Sequence, residues 1–363
     1  MSDGYGGHIS VHSLTVAYGI QTILHGIDLD FPAGTFTALL GSSGCGKTTL
    51  LRTLAGFLKA SGGRIEVDHK DVTTSPPEAR GMAMVFQSYA LWPHMTVAQN
   101  MGYGLKLRKM PSEAINRKID TLLTMLGLEG LANRKVTDLS GGQRQRVALG
   151  RALAIEPSIL LLDEPLSNLD TKIRLTMRHE IRAIQKKLGL TVIHVTHDRE
   201  EAMTMADRII VLDHGRIAQI GTPEDVYDKP NSPFLARFMG AENRLTFSVQ
   251  EGVLKHENYS LPHALRIDED RAIVYFRDEA ARLINTATVS GDSLTGRVIA
   301  RSYPGGFYRY NIAVGDAVIA VTDHAVIEPG TEIRLTLDPG KLHIFPASMA
   351  AHEEGRACIG NYF

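Results

Sequence analysis

The stretch FTALLGSSGCGKTTLLRTLAGF, residues 36–57, places an apolar run, a glycine- and serine-rich turn and a helical pattern one after another. Within it, residues 41–48 read GSSGCGKT, the spacing G-x-x-x-x-G-K-[ST] set between a strand and the start of a helix. Glycines allow the backbone to curl tightly. The amides from Gly44 through Thr49 would then point inward at phosphate oxygens, reinforced by the positive end of the helix. Lys47 would neutralise the β and γ phosphates of a nucleotide, Thr48 would offer a hydroxyl to Mg²⁺, and Thr49 a further phosphate contact. The candidate nucleotide-binding loop is therefore Gly41, Ser42, Ser43, Gly44, Cys45, Gly46, Lys47, Thr48 and Thr49. Cys45 sits at an unconstrained position of the pattern and is read as a spectator thiol. An ordinary Gly/Ser turn would satisfy the glycines alone, but not the lysine, the threonine and the flanking elements together.

Outward from this loop, residues 158–165 (SILLLDEP) and 191–198 (TVIHVTHD) are two more apolar strands ending in acidic or polar residues. Such strand ends are where ligands bind in open α/β sheets. Asp163 would hold Mg²⁺ through water, and Glu164 would polarise an attacking water. Residues 9–240 alternate strand and helix patterns, which predicts an α/β domain with a largely parallel sheet. Residues 88–136 are helical in pattern without a convincing strand and are expected to form an inserted helical subdomain. Beyond residue 240 come short β-rich runs (RAIVYFR, GRVIARS, FYRYNIAV, DAVIAVT, TEIRLTL) with Gly, Pro and Asp punctuation. They predict a small OB-like barrel over 241–346. Residues 347–363 lack periodicity and are expected to be mobile.

Composition narrows the function. At 363 residues the chain exceeds one ordinary core, and 39 basic against 40 acidic residues leave a formal charge of −1. Nothing in that balance points to a nucleic-acid surface. The two cysteines, Cys45 and Cys358, fit a reducing compartment. No secretory signal is evident, and the longest apolar runs fall far short of a membrane-spanning helix. If the protein works at a membrane, other subunits must span it.

Residues 139–143 read LSGGQ and lead through a basic helix-like segment into SILLLDEP. Here the chain resembles the nucleotide-binding subunits of ABC transporters over about its first 240 residues, with motifs in that family's order. The resemblance implies a P-loop NTPase core of RecA-like type, with ATP and Mg²⁺ as cofactors. It also implies a head-to-tail homodimer in which ATP lies between Lys47 of one chain and Ser140, Gly141, Gly142 and Gln143 of the other. The residues themselves agree with an anion site, since Ser140, Gly141 and Gly142 open a helix. By the same resemblance Tyr18 stacks on adenine, Gln87 is the switch glutamine near Mg²⁺ and the attacking water, and His197 contacts the γ-phosphate and supports Glu164. Thus Glu164, His197 and Gln87 form the implied catalytic set, and Thr48, Gln87 and Asp163 the implied metal set. Asp170, closing SNLD, belongs to a loop that would cross the dimer interface. His194 and His94 are read as structural or surface residues, and Arg144 and Arg146 as solvated or helix-packing ones. Residues 89–97 (YALWPHMTV) would line a groove for a membrane subunit, with a local core around Trp92 as the competing reading.

Within the family, FQSYALWPHMTV, DEPLSNLD and THDREEAMTMADRI are most similar to the maltose-importer type. That implies uptake of a sugar, sugar derivative or polyol, with ferric iron, phosphonate, polyamine or sulfate as alternatives. The implied partners are two integral membrane permease subunits and an extracytoplasmic solute-binding protein. The chain itself would be peripheral on the cytoplasmic side of the inner membrane, with no nucleic acid. A soluble ABC ATPase outside transport, or a P-loop kinase, would be the other classes. The first usually carries two ATPase domains or a long coiled coil, and the second leaves LSGGQ and the histidine unexplained.

Overall fold

The computed structural model describes residues 6–257, 259–262, 267–284 and 293–350. They form two compact units that part between Pro223 and Glu224. The sequence reading expects the boundary near residue 240. The helix Pro233–Phe238 instead belongs with the second unit, where Ala236 and Ala241 share a small apolar cluster with Ile273, Tyr275 and Phe345.

The first unit is built on a six-stranded sheet in the order β10-β9-β3-β8-β7-β6. Its strands are β3 (Phe36–Gly41), β6 (Met82–Val85), β7 (Ile159–Asp163), β8 (Thr191–Val195), β9 (Arg208–Asp213) and β10 (Arg216–Gly221). The first five pair in parallel, and only β10 runs antiparallel to its neighbour. β3, β7 and β8 are buried at every position, as a central strand covered on both faces must be.

A second sheet of the same unit was not legible as such. It is antiparallel, in the order β2-β1-β4-β5, from β1 (Ile9–Tyr18), β2 (Gln21–Phe31), β4 (Gly62–Val67) and β5 (Lys70–Asp71). β1 and β2 meet in a two-residue turn at Gly19 and Ile20, with Tyr18 paired to Gln21. One core gathers Ile9, Leu14, Leu24 and Phe31 of this sheet with Leu39, Leu161 and Ile193 of the central one. The helix α1 (Lys47–Leu54) contributes Leu50, Leu51 and Leu54 to it.

The other core carries the helical layer: α2 (Val97–Leu107), α3 (Ser112–Met125), α4 (Gly141–Ala154) and α5 (Thr171–Leu188). α6 (Arg199–Met205) follows β8. Between residues 88 and 136 the described structure holds α2, α3 and a 3₁₀ turn, with one isolated bridge, Thr96 to Lys135, and no strand.

The second unit contains two five-stranded antiparallel sheets around one core, an OB-like β-rich domain. All five β-rich runs quoted above lie on its strands. Asn243 ties the sheets together, its amide donating to the Ala320 carbonyl at 2.8 Å and accepting from Ala320 N at 2.6 Å. Of the segment 347–363, Ala350 is buried and Ser348 N donates to Glu269 at 3.0 Å. Residues 351–363, with Cys358, lie outside the described residues. No helix among the described residues is long and apolar enough to cross a membrane.

Candidate functional site

The site sits at the carboxyl ends of β3, β7 and β8. Beyond β3 the chain turns through Gly41, Gly44 and Gly46, all at positive φ, and enters α1 at Lys47. Two of these glycines are fixed by their surroundings. A Cβ on Gly41 would stand 2.3 Å from the Leu212 carbonyl oxygen, and one on Gly46 2.7 Å from Leu24 Cδ2. Leu24 lies on β2, so the β1–β2 hairpin bearing Tyr18 packs against the phosphate loop. Tyr18 itself is 51% exposed at the end of β1 and offers an open ring face.

Lys47 is 6% exposed, and its ammonium donates to the carbonyls of Gly41 at 2.7 Å and Ser42 at 2.9 Å. No carboxylate pairs with it among the described residues. A buried cation held only by neutral acceptors keeps most of its field for an incoming anion, and burial makes that field stronger than it would be in water. Cys45 Sγ is 3.7 Å from the same ammonium, and burial raises the thiol above its ordinary range despite Lys47. Cys45 is therefore a protonated, enclosed thiol, in keeping with a spectator.

Asp163, the last residue of β7, is buried, and its Oδ1 accepts from the Thr48 hydroxyl at 3.0 Å. Arg52 stands 3.6 Å from the other oxygen. Burial pushes the Asp163 carboxyl above the usual carboxylate range, outweighing Thr48 and Arg52. A desolvated carboxylate beside a hydroxyl is a hard oxygen pair that gains from a divalent cation. Mg²⁺ typically takes one or two such protein ligands and leaves the rest to phosphates and water. The pair fits that ion, and no cluster of three or more His, Cys, Asp or Glu able to hold a metal occurs among the described residues.

Glu164 follows at φ 44°, a left-handed conformation that a glutamate adopts at a cost of order 1–3 kcal/mol. Its amide donates to the Val195 carbonyl at 3.1 Å, and its carbonyl accepts from the Ser167 hydroxyl at 2.9 Å. Over-determined in this way, the carboxylate points where β6 and β8 end. Gln87 Nε2 donates to Glu164 Oε2 at 3.2 Å, and His197 Nδ1 lies 3.3 Å from the same oxygen. The structure thus brings Lys47, Thr48 and Asp163 into one group and Gln87, Glu164 and His197 into the next, joined through the consecutive residues 163 and 164. Such an arrangement can seat a phosphate chain on the loop while a carboxylate orients water at its end.

The residues 140–143 stand apart. Ser140 caps α4, its hydroxyl accepting from Gln143 N at 3.3 Å while the Gln143 side chain accepts from Ser140 N at 3.0 Å. This capping box occupies two of the amides at the helix start, so Gly141 N and Gly142 N are the donors left to an anion. Among the described residues none of the four bonds to the Lys47 or Glu164 groups. Asp170 caps α5, accepting from Ile173 N at 3.0 Å.

Other singled-out residues resolve differently. His194 is fully buried, with Nε2 3.2 Å from Glu201, while His94 is exposed. Burial would raise Glu201, but His194, Thr196 and Arg178 together hold it below its ordinary range. Trp92 is half-buried rather than open, lying 4.3 Å from the Tyr103 ring with the Arg151 guanidinium 4.9 Å from its centroid. Arg146 pairs with Glu180 at 2.5 Å and Arg144 donates to Leu139 O at 3.1 Å, both packing roles. Sequence reasoning missed Ser167 and Asn168, which bracket Gln87: Ser167 Oγ accepts from its amide at 3.4 Å, and Asn168 Nδ2 donates to its carbonyl at 3.0 Å. The polar SNLD run was their signal, but only Asp170 was drawn from it.

Comparison with known proteins identifies the family. The ABC transporter family matches residues 24–167 and the TOBE domain residues 261–345. The sn-glycerol-3-phosphate import ATP-binding protein of Rhizobium johnstonii is 42% identical over 93% of this chain and 94% of its own length. The diacetylchitobiose uptake ATP-binding protein of Streptomyces coelicolor is 39% identical over 89% and 92%. A spermidine/putrescine import ATP-binding protein of Bacteroides fragilis is 38% identical over 93% and 73%. The structure of cbiO1 from Clostridium perfringens, part of the ABC transporter complex cbiONQ, superposes with a TM-score of 0.57 at 33% identity, covering 61% of this chain and 90% of that one. An ABC-type α/β core followed by a TOBE domain, at these identities over nearly the whole length, makes this chain a member of the ABC transporter ATP-binding proteins, and an ATPase.

Proposed function

We propose that the chain is the ATP-hydrolysing subunit of a binding-protein-dependent importer, acting as a head-to-tail homodimer beneath two integral membrane permease subunits on the cytoplasmic side of the inner membrane. One observation carries this reading. Glu164 gathers Gln87 and His197 on a single carboxylate oxygen beside the Lys47, Thr48 and Asp163 group, while among the described residues the Ser140 and Gln143 cap bonds only within itself and not to that group. A second copy supplies that cap across a two-fold axis and builds two equal sites.

In each site the phosphates of ATP lie on the amides of residues 44–49 with Lys47 on the β and γ oxygens, and the adenine stacks on Tyr18. Thr48 and Asp163, with Gln87, would hold Mg²⁺, which would supply neutralisation of phosphate charge there. Glu164 accepts the proton of the water that attacks the γ-phosphorus. His197 holds Glu164 and the γ-phosphate in place, and Ser140, Gly141, Gly142 and Gln143 of the other chain close over it. ATP closes the dimer and hydrolysis parts it, which drives the permeases.

The imported solute is a sugar, sugar derivative or polyol. Support comes from the range of relatives, which includes a sulfoquinovosyl glycerol transport protein of Agrobacterium fabrum at 39% identity over 94% of this chain. The polyamine and ferric-iron relatives keep those solutes as the second reading. The test is mass spectrometry of what copurifies with tagged Glu164→Gln from solubilised membranes in ATP. Two polytopic subunits support the importer, and their binding protein, titrated with glycosides, glycerol phosphodiesters, spermidine and ferric iron, identifies the solute. Ribosomal or chromosomal proteins in their place would overturn the transport reading.

A further inference from the structure

Arg174 touches two loops at once. From the first turn of α5 its Nη2 donates to the Leu169 carbonyl at 3.1 Å, and its Nη1 lies 3.5 Å from Asp198 Oδ2. Leu169 belongs to the SNLD loop, and Asp198 follows His197 directly. Arg178, one turn along α5, is 5% exposed and donates to the same Asp198 oxygen at 3.0 Å.

The segment around His197 is otherwise pinned from α6. Asp198 Oδ1 accepts from Glu200 N at 2.9 Å and Glu201 N at 3.3 Å, and Asp198 N donates to the Thr196 hydroxyl at 3.0 Å. That hydroxyl donates to Glu201 Oε2 at 2.7 Å, the oxygen that His194 also faces. Residues 196 and 198 are thus both anchored, while the His197 side chain between them is 62% exposed. On the other side, Leu169 Cδ2 lies 3.4 Å from where a Cβ on Gly141 would be, and Ile173 Cγ2 2.9 Å from one on Gly142. The start of α4, the SNLD loop, the Arg174 guanidinium and the His197 segment therefore form one continuous packed series.

We propose that Arg174 is a positioning residue that couples the SNLD loop to His197, so that a displacement of Leu169 by a facing subunit re-aims the histidine on Glu164. This rests on the reading of the SNLD loop and His197 given above. A planar guanidinium can hold a carbonyl and a carboxylate in fixed relation, which a lysine ammonium on a flexible stem does poorly. Arg174 and Arg178 from α5 both pair with Asp198, and Arg178 also reaches Glu200 and Glu201 of α6, so Arg174 shares Asp198 with a second cation that has other partners.

The test uses the full-length chain with Arg174→Ala, Arg174→Gln and Arg174→Lys, each alone and with His197→Ala. Arg174→Ala is expected to slow ATP turnover about tenfold with KM for ATP and Tm nearly unchanged, within the roughly 2- to 30-fold range of such couplings. Arg174→Gln and Arg174→Lys fall between it and wild type, and they stand in for the alanine variant if that chain does not fold. In the His197→Ala background the same substitution should cost almost nothing more. Hydrogen exchange at residues 196–201 should quicken in Arg174→Ala. Equal losses in both backgrounds, or unchanged exchange there, would overturn the coupling. Wild-type turnover by His197→Ala alone would instead count against the switch reading, and the exchange result would still decide the coupling.

Discussion

His197 and Gln87 meet on one oxygen of Glu164, at 3.3 and 3.2 Å, although β8 and β6 deliver them from either side of β7. With Gln87 donating to Oε2 and His197 Nδ1 beside it, the other carboxylate oxygen is left to take the proton of the attacking water in the proposed reaction. Glu164→Gln keeps the shape and loses the base. It should bind ATP with near wild-type affinity, turn over at least about 100-fold more slowly, and accumulate as a nucleotide-bound dimer. Single-turnover kinetics with sedimentation in ATP would check this, and near-normal hydrolysis would remove Glu164 from its role.

The glycines of the phosphate loop should not be equally replaceable. Gly41→Ala drives a Cβ to 2.3 Å from the Leu212 backbone oxygen and 2.6 Å from Cys45 Sγ, so backbone or a buried side chain must shift. Gly44→Ala, at φ 79°, meets no atom within 4 Å and carries only conformational strain. The first should lose about 3 kcal/mol of stability and the second about 1 kcal/mol. Denaturant unfolding of the ATP-free chain would measure both, and equal losses would mean that the loop relaxes around Gly41.

Ser140→Arg separates the two phosphate surfaces. The substitution removes a helix cap worth about 1 kcal/mol and sets a long side chain before Gly141 and Gly142. ATP should still bind one chain at the Lys47 loop, with unchanged affinity for a labelled nucleotide. Dimer closure and turnover should both disappear. Turnover at the wild-type rate would mean that the cap does not reach a nucleotide.

The parts of this site that were legible in the sequence are those where chemistry and backbone are local. Residues 41–48 declare a turn, a charge and a helix start within eight positions, and β7 and β8 announce themselves as apolar runs ending at Asp163 and near His197. The antiparallel sheet of β1, β2, β4 and β5 was hidden because Ile9 pairs with Phe31 on one side and Val67 on the other, contacts that no local periodicity encodes. The same holds for Arg174. Nothing near it in sequence marks it as a bridge between Leu169 and Asp198, and its neighbours give only an amphipathic helix. The two compact units part at residue 223 and the change to β-rich texture comes at 240, because the helix Pro233–Phe238 continues the helical texture of the first unit while packing in the second.

The second unit should carry an acid-sensitive element of its own. His343 is buried, its Nε2 3.2 Å from Arg277 Nη1, and burial together with the Arg277 charge lowers it from 6.5 to about 4, against the pull of Asp228. In the folded chain this imidazole stays neutral and accepts from Arg277. The unfolded chain takes up a proton as soon as pH falls below about 6.5, so the unfolded state binds more protons in that window. The contribution of His343 is therefore fully present above about pH 6.5 and is lost progressively down to about pH 4, by up to about 2 kcal/mol after allowance for partial solvent screening. His343→Gln retains an acceptor for Arg277 and has nothing to titrate. It should lose less stability than wild type between about pH 7 and pH 4.5 in denaturant unfolding, with similar stability at the upper end. Parallel losses in the two chains would show that His343 is protonated without penalty and that Arg277 yields to it.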